Sequence, residues 1–270
     1  MVVTGQDLKQ ALRSLGLSGR VVCLHSSLRS FGHLEDGAAT VIRTFLDEKC
    51  TLLVPTFSSA FKVAPPPHLQ FKRNGWDYSA ARPRHGSNRI YTPESFDIDR
   101  EMGAIPAAVV TWPGHVRGNH PLDSLTAVGP HATELIAQQA SLDVYAPLRA
   151  LVRLKGVVIL MGVGLERLTL LHLAEQEAGR TMFRRWANDE RGRPMAVEVG
   201  GCSEGFGRLE PHLGDLMRKI TVGHSNWMLF EADQVLARAT AAIGADPDIT
   251  HCNHAECKRC NDAIKGGPML

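Results

Sequence analysis

The sequence lacks a long hydrophobic run. None of its stretches approaches the roughly 18 uninterrupted apolar residues that a membrane helix needs. The N-terminal segment MVVTGQDLKQ places Lys9 ahead of any apolar run, so it resembles neither a signal peptide nor a targeting sequence. We therefore expect a cytoplasmic protein that has no membrane partner.

Charge of one sign is not in excess either. The chain has 30 basic and 28 acidic residues, a formal net charge of +2, and the basic residues form only short clusters, such as 82–85 and Arg184-Arg185. Aromatic residues make up 6% of the chain and are not interleaved with a basic stripe, so nucleic acid is not an expected partner. We interpret both clusters as solvated surface charge.

A disulfide-type cysteine pattern is also missing. Of the six cysteines, Cys23 and Cys50 lie in apolar stretches, Cys202 follows two glycines, and the other three lie beyond residue 250. We interpret Cys23 and Cys50 as small core residues. A disulfide framework is not expected in a chain of this length without an export signal, so the thiols should be reduced.

The sequence does contain an alternation of strand-like and helical segments. Strand-like runs occur at 20–24, 51–57, 156–163 and 220–230, and two more between 182 and 200 flank DERGR as in a hairpin. Helical spacing occurs at 6–15, 37–48, 103–111, 130–140, 147–153, 168–179, 208–219 and 231–244. This alternation favours an α/β fold.

Residues 58–100 do not follow this alternation. They carry three consecutive prolines and few periodic apolar residues, and such a long irregular connection is usually a lid or a binding loop. Neither a repeat nor a linker divides the rest of the chain. We therefore predict one domain over residues 1–250, followed by a tail over 251–270 that contains cysteine and histidine.

One polar segment follows the first buried strand. His25, Ser26, Ser27, Leu28 and Arg29 lie where α/β proteins bind ligands, and short hydroxyls with exposed backbone N–H groups suit phosphate or amide oxygens. The alternative is a serine-rich structural turn.

A second polar segment, HPLDS at 120–124, is made stiff by Pro121 and can present His120 and Ser124. Taken alone, it is better explained as a surface turn.

The helix predicted at 168–179 carries Thr169, His172 and Glu175 at spacings of three, which places them on one face. The apolar residues of that helix fall on the other side, so the triplet is not expected to face the core. A histidine beside a carboxylate is oriented and kept basic, as a general base requires. The alternative is an ordinary solvated polar face.

The tail contains a candidate metal site. Cys257 and Cys260 have the two-residue gap of a zinc knuckle, and Cys252, His254 and His251 are the candidates to complete four ligands. A tetrahedron from so short a stretch is sterically demanding, so a metal-free tail or a redox-sensitive thiol pair is the alternative. If zinc is bound, we expect a structural ion.

Taken together and in order, several segments resemble the aminoglycoside 3-N-acetyltransferase family. The matching segments are HSSLRSFG at 25–32, LLVPTFSS at 52–59, MGAIP at 102–106, HPLDSLTAVG at 120–129, YAPLRALVRL at 145–154 and VILMGVGLERLTLLHLAEQEAG at 158–179. Jointly they are far more specific than any one alone. The resemblance implies a single three-layer α/β/α domain with a central mixed sheet, unrelated to the GNAT acetyltransferases.

The resemblance also implies an activity, namely transfer of an acetyl group from acetyl-CoA to the 3-amino group of an aminoglycoside antibiotic, a route to antibiotic resistance. His172 would be the general base, with Thr169 and Glu175 at the flanking positions of the family's TxxHxxE segment. Glu204 is the alternative to Glu175 as the carboxylate that orients His172. No cysteine lies in these motifs, so we expect direct transfer without an acyl-enzyme.

Binding residues follow from the same resemblance. The loop at 25–29 and the strand end with Thr56 and Ser58 map to the side that holds acetyl-CoA, and His120 and Ser124 lie near the thioester.

An aminoglycoside is a polycation, so its site should present carboxylates. Glu94, Asp97, Asp99 and Glu101 lie close together in the sequence, and we expect Asp97 and Asp99, with Glu204, to bind the acceptor. The alternative is that these acids only decorate a loop surface.

Three departures from the family leave alternatives open. Residues 117–120 are RGNH where the family often has Arg-Ser before the HP motif, and neither 58–100 nor the tail matches well-characterised members. The acceptor could therefore be another small amine, or the chain a catalytically silent CoA-binding module. The oligomeric state stays open between a monomer and a homodimer.

Overall fold

The apolar runs predicted as buried strands lie together in one seven-stranded sheet. The structure is a computed structural model that describes residues 2–79 and 88–270. The strands are, in chain order, β1 (Val2–Val3), β2 (Val21–Ser26), β3 (His33–Leu34), β4 (Thr51–Pro55), β5 (Val116–Arg117), β6 (Leu125–Val128), β7 (Val157–Met161), β8 (Phe183–Asn188), β9 (Pro194–Val199), β10 (Arg218–Val222) and β11 (Ser225–Glu231).

The helices account for most of the remaining regular structure. They are α1 (Gly5–Ser14), α2 (Ala38–Asp47), α3 (Ala104–Val109), α4 (Ala132–Ile136), α5 (Ala146–Arg153), α6 (Leu170–Glu177), α7 (Glu210–Leu213), α8 (Ala232–Ala245) and α9 (Lys258–Ile264). Over the ranges 2–79 and 88–270, no helix has the length and apolar character needed to cross a membrane.

The central sheet has the order β10-β11-β7-β2-β4-β6-β5. β2 is parallel to β7 and β4, whereas β11 and β6 are antiparallel to their inner neighbours. Along β7, Val158 and Leu160 pack with α4, α5, α6 and α8, while Val157, Ile159 and Met161 face α1, α2 and α3. Burial on both faces explains why β7 is a continuous apolar run. The three-layer α/β/α fold with a mixed sheet is confirmed.

β5 and β6 extend the sheet beyond β4, and neither strand is predicted from the sequence pattern. β6 pairs with β4 from Leu52↔Val128 to Pro55↔Leu125. Its four residues directly follow the HPLDS segment, so this segment lies beside the end of β4.

Two predictions near the C-terminus are wrong. Only Glu210–Leu213 of the predicted helix at 208–219 is α-helical, and β10 already begins at Arg218; Gly214 weakens a helix there. The single strand predicted at 220–230 is interrupted by a turn: it contains the end of β10 and most of β11, which join through Gly223, whose φ of 61° suits a tight turn.

The hairpin predicted between 182 and 200 is confirmed, since β8 and β9 pair antiparallel. The interpretation of Arg184 and Arg185 as solvated surface charge is wrong, because both side chains are buried. Arg184 pairs with Glu198 at 3.3 Å, and the Arg185 guanidinium lies 4.9 Å from the centre of the Trp76 ring.

The predicted irregular connection is present over 58–79 and 88–100, where the structure has 3₁₀ turns and isolated bridges but neither an α-helix nor a longer strand. The other basic cluster, residues 82–85, lies outside the described residues.

The tail contacts the rest of the chain. The Gly75 backbone N–H donates to Asp262 at 2.8 Å, and the Thr181 N–H donates to the Gly266 carbonyl at 3.0 Å. The division into a domain at 1–250 and a tail at 251–270 stays a prediction.

Candidate active site

A cleft of about 2180 Å³ opens at the edge of the sheet where β2, β4 and β7 end. Because these three strands are parallel, the loops that follow them meet at one edge. The cleft is lined by the end of β2 and the loop after it, the segment after β7, the start of α6, the end of β9 and the loop after it, part of the β10–β11 hairpin and part of the segment before α3.

His172 on α6 lies at the wall of this cleft with its ring fixed. Its Nδ1 lies 2.8 Å from Glu175 Oε2. The ring stacks parallel to Tyr145 at 6.1 Å and lies edge-on to Phe206 at 4.7 Å. A carboxylate that accepts the Nδ1–H leaves the lone pair on Nε2, so the second nitrogen is the one available as a base.

Glu175 is itself held by two donors. Arg180 forms an ion pair with its Oε1, and the Thr250 hydroxyl donates to the same oxygen at 3.1 Å. Arg180 also donates to Thr250 at 2.8 Å. The carboxylate in contact with His172 is therefore Glu175, whereas Glu204 lines another part of the cleft.

The predicted triplet shares one side of α6, but this side is not solvated. Thr169, His172 and Glu175 are exposed by only 8%, 9% and 4%. Thr169 and His172 line the cleft, and Glu175 lies behind His172. The expectation that the triplet avoids the interior is wrong, because α6 is covered on this side by the segment around Thr250.

The end of β2 and the loop after it contribute all five candidate residues of this segment to the cleft lining, namely His25, Ser26, Ser27, Leu28 and Arg29. Burial and the nearby charge of Arg167 lower the pKa of His25 to about 4. His25 is therefore neutral near pH 7.

Three residues predicted to bind the cofactor do not line the cleft. Thr56 and Ser124 are buried against each other, with the Thr56 hydroxyl 3.0 Å from the Ser124 carbonyl, and Arg117 donates to Ser124 Oγ at 3.0 Å. His120 is fully buried. Ser58, the other candidate of that strand end, does line the cleft.

His120 supports the cleft from behind. Its Nε2 lies 2.7 Å from the Glu198 carbonyl, and its Nδ1 accepts the Asp123 backbone N–H at 2.8 Å. Burial lowers its pKa to about 4, so the ring is neutral and can make both bonds. His120 does not line the cleft, whereas Leu122 and Asp123 of the HPLDS segment do. The expected position of His120 near the thioester stays a prediction.

Asp123 lines the cleft but is not among the site residues predicted from the sequence. Burial raises its pKa to about 6, opposed by the charge of His172 and the Gly200 amide. The HPLDS motif indicates that this segment lies near the site. Only the pairing of β6 with β4 shows which of its side chains faces the cleft.

The predicted acceptor-binding acids separate into two groups. Asp99 and Glu204 line the cleft, and Asp99 also accepts the Ser59 backbone N–H at 2.9 Å. Asp97 does not line it, because its carboxylate is paired with Arg89 at 2.9 Å. Cations also line the cleft, among them Lys62, Arg185 and Arg259.

The tail brings thiols together with one cysteine from elsewhere. The sulfur atoms of Cys202, Cys252, Cys257 and Cys260 all lie within 4.8 Å of one another. His254, which was predicted as a ligand, is exposed and does not belong to this group. Cys202 takes the fourth place because the loop after β9 folds over the tail.

Comparisons with known proteins agree with this geometry. The family described as aminoglycoside 3-N-acetyltransferase matches residues 23–243. Aminoglycoside N(3)-acetyltransferase IX of Micromonospora chalcea is 36% identical over 64% of this chain and 62% of its own length. The aminoglycoside N(3')-acetyltransferase-like protein YokD of Bacillus subtilis is 32% identical over 72% of this chain and 71% of its own length.

Solved structures give the same result over almost the whole chain. Aminoglycoside acetyltransferase AAC(3)-IVa, as the apoenzyme, superimposes with a TM-score of 0.78 at 25% identity, covering 98% of both chains. A binary complex of AAC-IIIb with CoASH shares the fold, with a TM-score of 0.72 at 22% identity over 91% of this chain and 97% of that one. The matched part spans less than two thirds of the first two curated relatives, at 62% and 60% of their lengths.

Proposed function

Since the chain belongs to the aminoglycoside 3-N-acetyltransferase family, we propose that it transfers an acetyl group from acetyl-CoA to an amine of an aminoglycoside. One observation carries this proposal. His172 lies at the wall of a large cleft with Nδ1 bound to Glu175 at 2.8 Å, which is the arrangement of an oriented general base.

In the proposed reaction, acetyl-CoA supplies the acetyl group as a thioester. His172 Nε2 takes the proton that the acceptor nitrogen loses as the new C–N bond forms and the C–S bond breaks. Glu175 keeps the proton on Nδ1 and stabilises the charged ring, and Arg180 and Thr250 hold Glu175 in turn. Thr169 lines the cleft beside His172 and is the proposed donor to the developing oxyanion.

The loop after β2 is the proposed site for acetyl-CoA. Ser26, Ser27 and Arg29 line the cleft, and the loop contains no acidic residue, which suits a ligand rich in phosphate and amide oxygens. A relative of the same fold was solved with CoASH.

The opposite wall is the proposed acceptor site. Asp99, Asp123 and Glu204 line it, and carboxylates attract the ammonium groups of an aminoglycoside. A histidine-to-alanine mutant of AAC(3)-IVa, whose structure covers 98% of this chain, was solved in complex with a gentamicin.

A second candidate acceptor is favoured by the cations on this wall. Lys62, Arg185 and Arg259 line the cleft beside the acids, and a small amine that also carries an anionic group would match this mixed charge better than a pure polycation.

We further propose that the chain works in the cytoplasm and carries one structural zinc ion on its tail. All six cysteines are free thiols, which suits a reducing compartment. The proximity of Cys252, Cys257 and Cys260 supports the metal.

A thiol-release assay tests the proposed activity. Acetyl-CoA is offered with 2-deoxystreptamine aminoglycosides and, in parallel, with small amines that carry a carboxylate or phosphonate group. Release of CoA with the aminoglycosides supports the main proposal. Turnover with the small amines alone favours the second candidate, and CoA binding without release in any mixture points to a silent binding module.

A further inference from the structure

We propose that Cys202 completes a four-thiolate zinc site and that this site fixes the two chain segments that position His172. The claim that zinc binds depends only on the geometry of the cysteine cluster. The claim that zinc positions His172 rests on the proposed acetyl transfer, in which His172 is the base.

The four thiols have the arrangement that a tetrahedral zinc ion needs. Zn–S bonds of about 2.3 Å place the sulfur atoms of a tetrahedron about 3.8 Å apart, and the four sulfur atoms here all lie within 4.8 Å of one another. Cys202, Cys252 and Cys260 are buried and Cys257 is half-buried, and none is in a disulfide. Such a closed set of four thiolates is typical of structural zinc.

A tetrahedral site formed by the short tail alone would be sterically demanding, and Cys202 avoids this difficulty because it comes from another part of the chain. Cys257 caps the N-terminus of α9 and Cys260 lies in its first turn, while Cys202 approaches from the loop after β9. A metal bound to all four would cross-link this loop to the tail.

The first linked segment forms a wall of the histidine site. A Cβ added to Gly200 would lie 2.4 Å from Tyr145 Oη and 3.1 Å from His172 Nε2, so the backbone at Gly200 closely approaches the reactive nitrogen. A Cβ added to Gly205 would lie 2.2 Å from the Thr250 carbonyl. The loop that carries Cys202 therefore lies between His172 and the chain around Thr250.

The second linked segment holds the carboxylate behind His172. Thr250 donates to Glu175 at 3.1 Å and lies two positions before Cys252. Arg180 donates to Thr250 at 2.8 Å and also to the Pro247 carbonyl. Cys202 and Cys260 line the same small internal space as Glu175 and Arg180.

Both segments that hold His172 in place, the loop at Gly200 and the chain at Thr250, thus lie two residues before a proposed zinc ligand. If the metal is lost, the loop at Gly200 and the segment at Thr250 are no longer tied together, and Glu175 loses a fixed partner. Displacing a catalytic group by about 1 Å can lower the rate by up to about 100-fold. We therefore expect zinc to act on turnover through the position of His172.

The test compares Cys202→Ala, Cys202→His and Cys50→Ala in full-length protein purified without chelators. Cys50 is a buried thiol outside the cluster, so its variant controls for the loss of any thiol, and histidine can replace cysteine as a zinc ligand. Zinc content, thermal stability, kcat and KM are measured, together with the rate at which diethyl pyrocarbonate modifies His172.

We expect about one zinc per wild-type chain, the same in Cys50→Ala, and loss of zinc in Cys202→Ala. In that variant kcat should fall about tenfold while the KM for acetyl-CoA changes less than about twofold, and His172 should be modified faster. Cys202→His should restore the metal and most of kcat.

Wild-type protein without zinc, or Cys202→Ala with a full equivalent, would overturn the metal site. A zinc-free Cys202→Ala with unchanged kcat and unchanged modification of His172 would overturn the positioning role. If no acceptor gives thiol release, the zinc content and the modification rate still decide this proposal, so its failure is separable from that of the proposed activity.

Discussion

The two walls of the cleft are built in different ways. The wall proposed for acetyl-CoA consists of loops that directly follow β2 and β7, and backbone bonds fix it: the Ser27 N–H donates to the Met161 carbonyl at 2.9 Å. A Cβ added to Gly162 would lie 2.1 Å from Ser30 Oγ, so the loops are closely packed. The geometry of this wall is therefore set by the order of the strands in the sheet.

The wall proposed for the acceptor is assembled from segments far apart in the chain. Its charged residues include Lys62, Asp99, Asp123, Arg185, Glu204 and Arg259, all of which line the cleft. Side chains hold these segments together: His120 bonds to the Asp123 N–H and lies against the Glu198 carbonyl, and Arg185 donates to the Asn74 carbonyl. A wall of this kind can change its charges without disturbing the sheet, so we expect it to determine the choice of acceptor.

His172 lies where the two walls meet, and replacing it should have the largest effect. His172→Ala should lower kcat by about 10² to 10⁴ because the general base is lost, while the KM for acetyl-CoA changes little. Steady-state thiol release measures both constants.

The matched control for this variant is His131→Ala. His131 also contacts a glutamate three residues on, Glu134 at 3.1 Å, but the pair is exposed and remote from the cleft lining. Turnover of His172→Ala within threefold of the wild type would remove this residue from the proposed mechanism.

The acetyl-CoA wall should respond to the double variant Ser27→Ala/Arg29→Met. Removing a hydroxyl and a guanidinium that can bond phosphate or amide oxygens should raise the KM for acetyl-CoA about tenfold, with a smaller effect on the KM for the acceptor. Kinetics with each substrate varied in turn measure the split. Equal changes in both constants would show that the two walls are not functionally separate.

The difference between the walls also explains which features could be predicted from the sequence. The strands predicted at 20–24, 51–57 and 156–163, the polar segment at 25–29 and the contact of His172 with Glu175 depend on local periodicity and spacing, and these are present in the structure. Asp123 could not be predicted because its exposure depends on β6, a short strand between polar motifs. The segment HPLDS alone is better explained by a surface turn.

Long-range contacts account for the other errors. Cys202 joins the cysteine cluster only because the loop after β9 folds over the tail, and spacing along the chain favours His254 in its place. Arg185 is buried because Asn74 and Trp76 cover it, and neither lies near it in sequence. Residues whose environment is set by distant segments are the ones that a local pattern assigns to the surface.

The acceptor wall should show a pH dependence that Asp123 produces. Its pKa is raised to about 6 by burial, so the carboxyl is ionised above pH 6 and becomes neutral below it. A neutral carboxyl no longer attracts an ammonium group, so the KM for the acceptor should rise as the pH falls through about 6. The sign is the same for any cationic acceptor.

Asp123→Asn isolates this effect from other titrating groups. The variant should have a raised KM for the acceptor, by about tenfold at pH 7.5, and a flatter dependence of that constant on pH between 5 and 7.5. The ionised carboxyl is disfavoured in the folded protein, so wild-type stability should decline as the pH rises from 3.8 towards 6, and the variant should lack this decline. A wild-type and a variant profile of the same shape would show that Asp123 does not bind the acceptor.

The smallest effect is expected at the boundary of the acceptor wall. Asp97 and Asp99 are two positions apart, but only Asp99 lines the cleft, while Asp97 is paired with Arg89 on the surface. That ion pair lowers the pKa of Asp97, and an exposed pair of this kind contributes little to stability. Asp97→Asn should therefore change the KM for the acceptor by less than about twofold.

Asp99→Asn should raise the KM for the acceptor more than Asp97→Asn does. This increase should grow as the salt concentration is lowered, because ions screen a charge that faces the acceptor. Titrations of both variants at low and high ionic strength make the comparison. Equal effects at the two positions would extend the acceptor wall beyond the cleft lining, as the sequence-based pairing of Asp97 with Asp99 predicts.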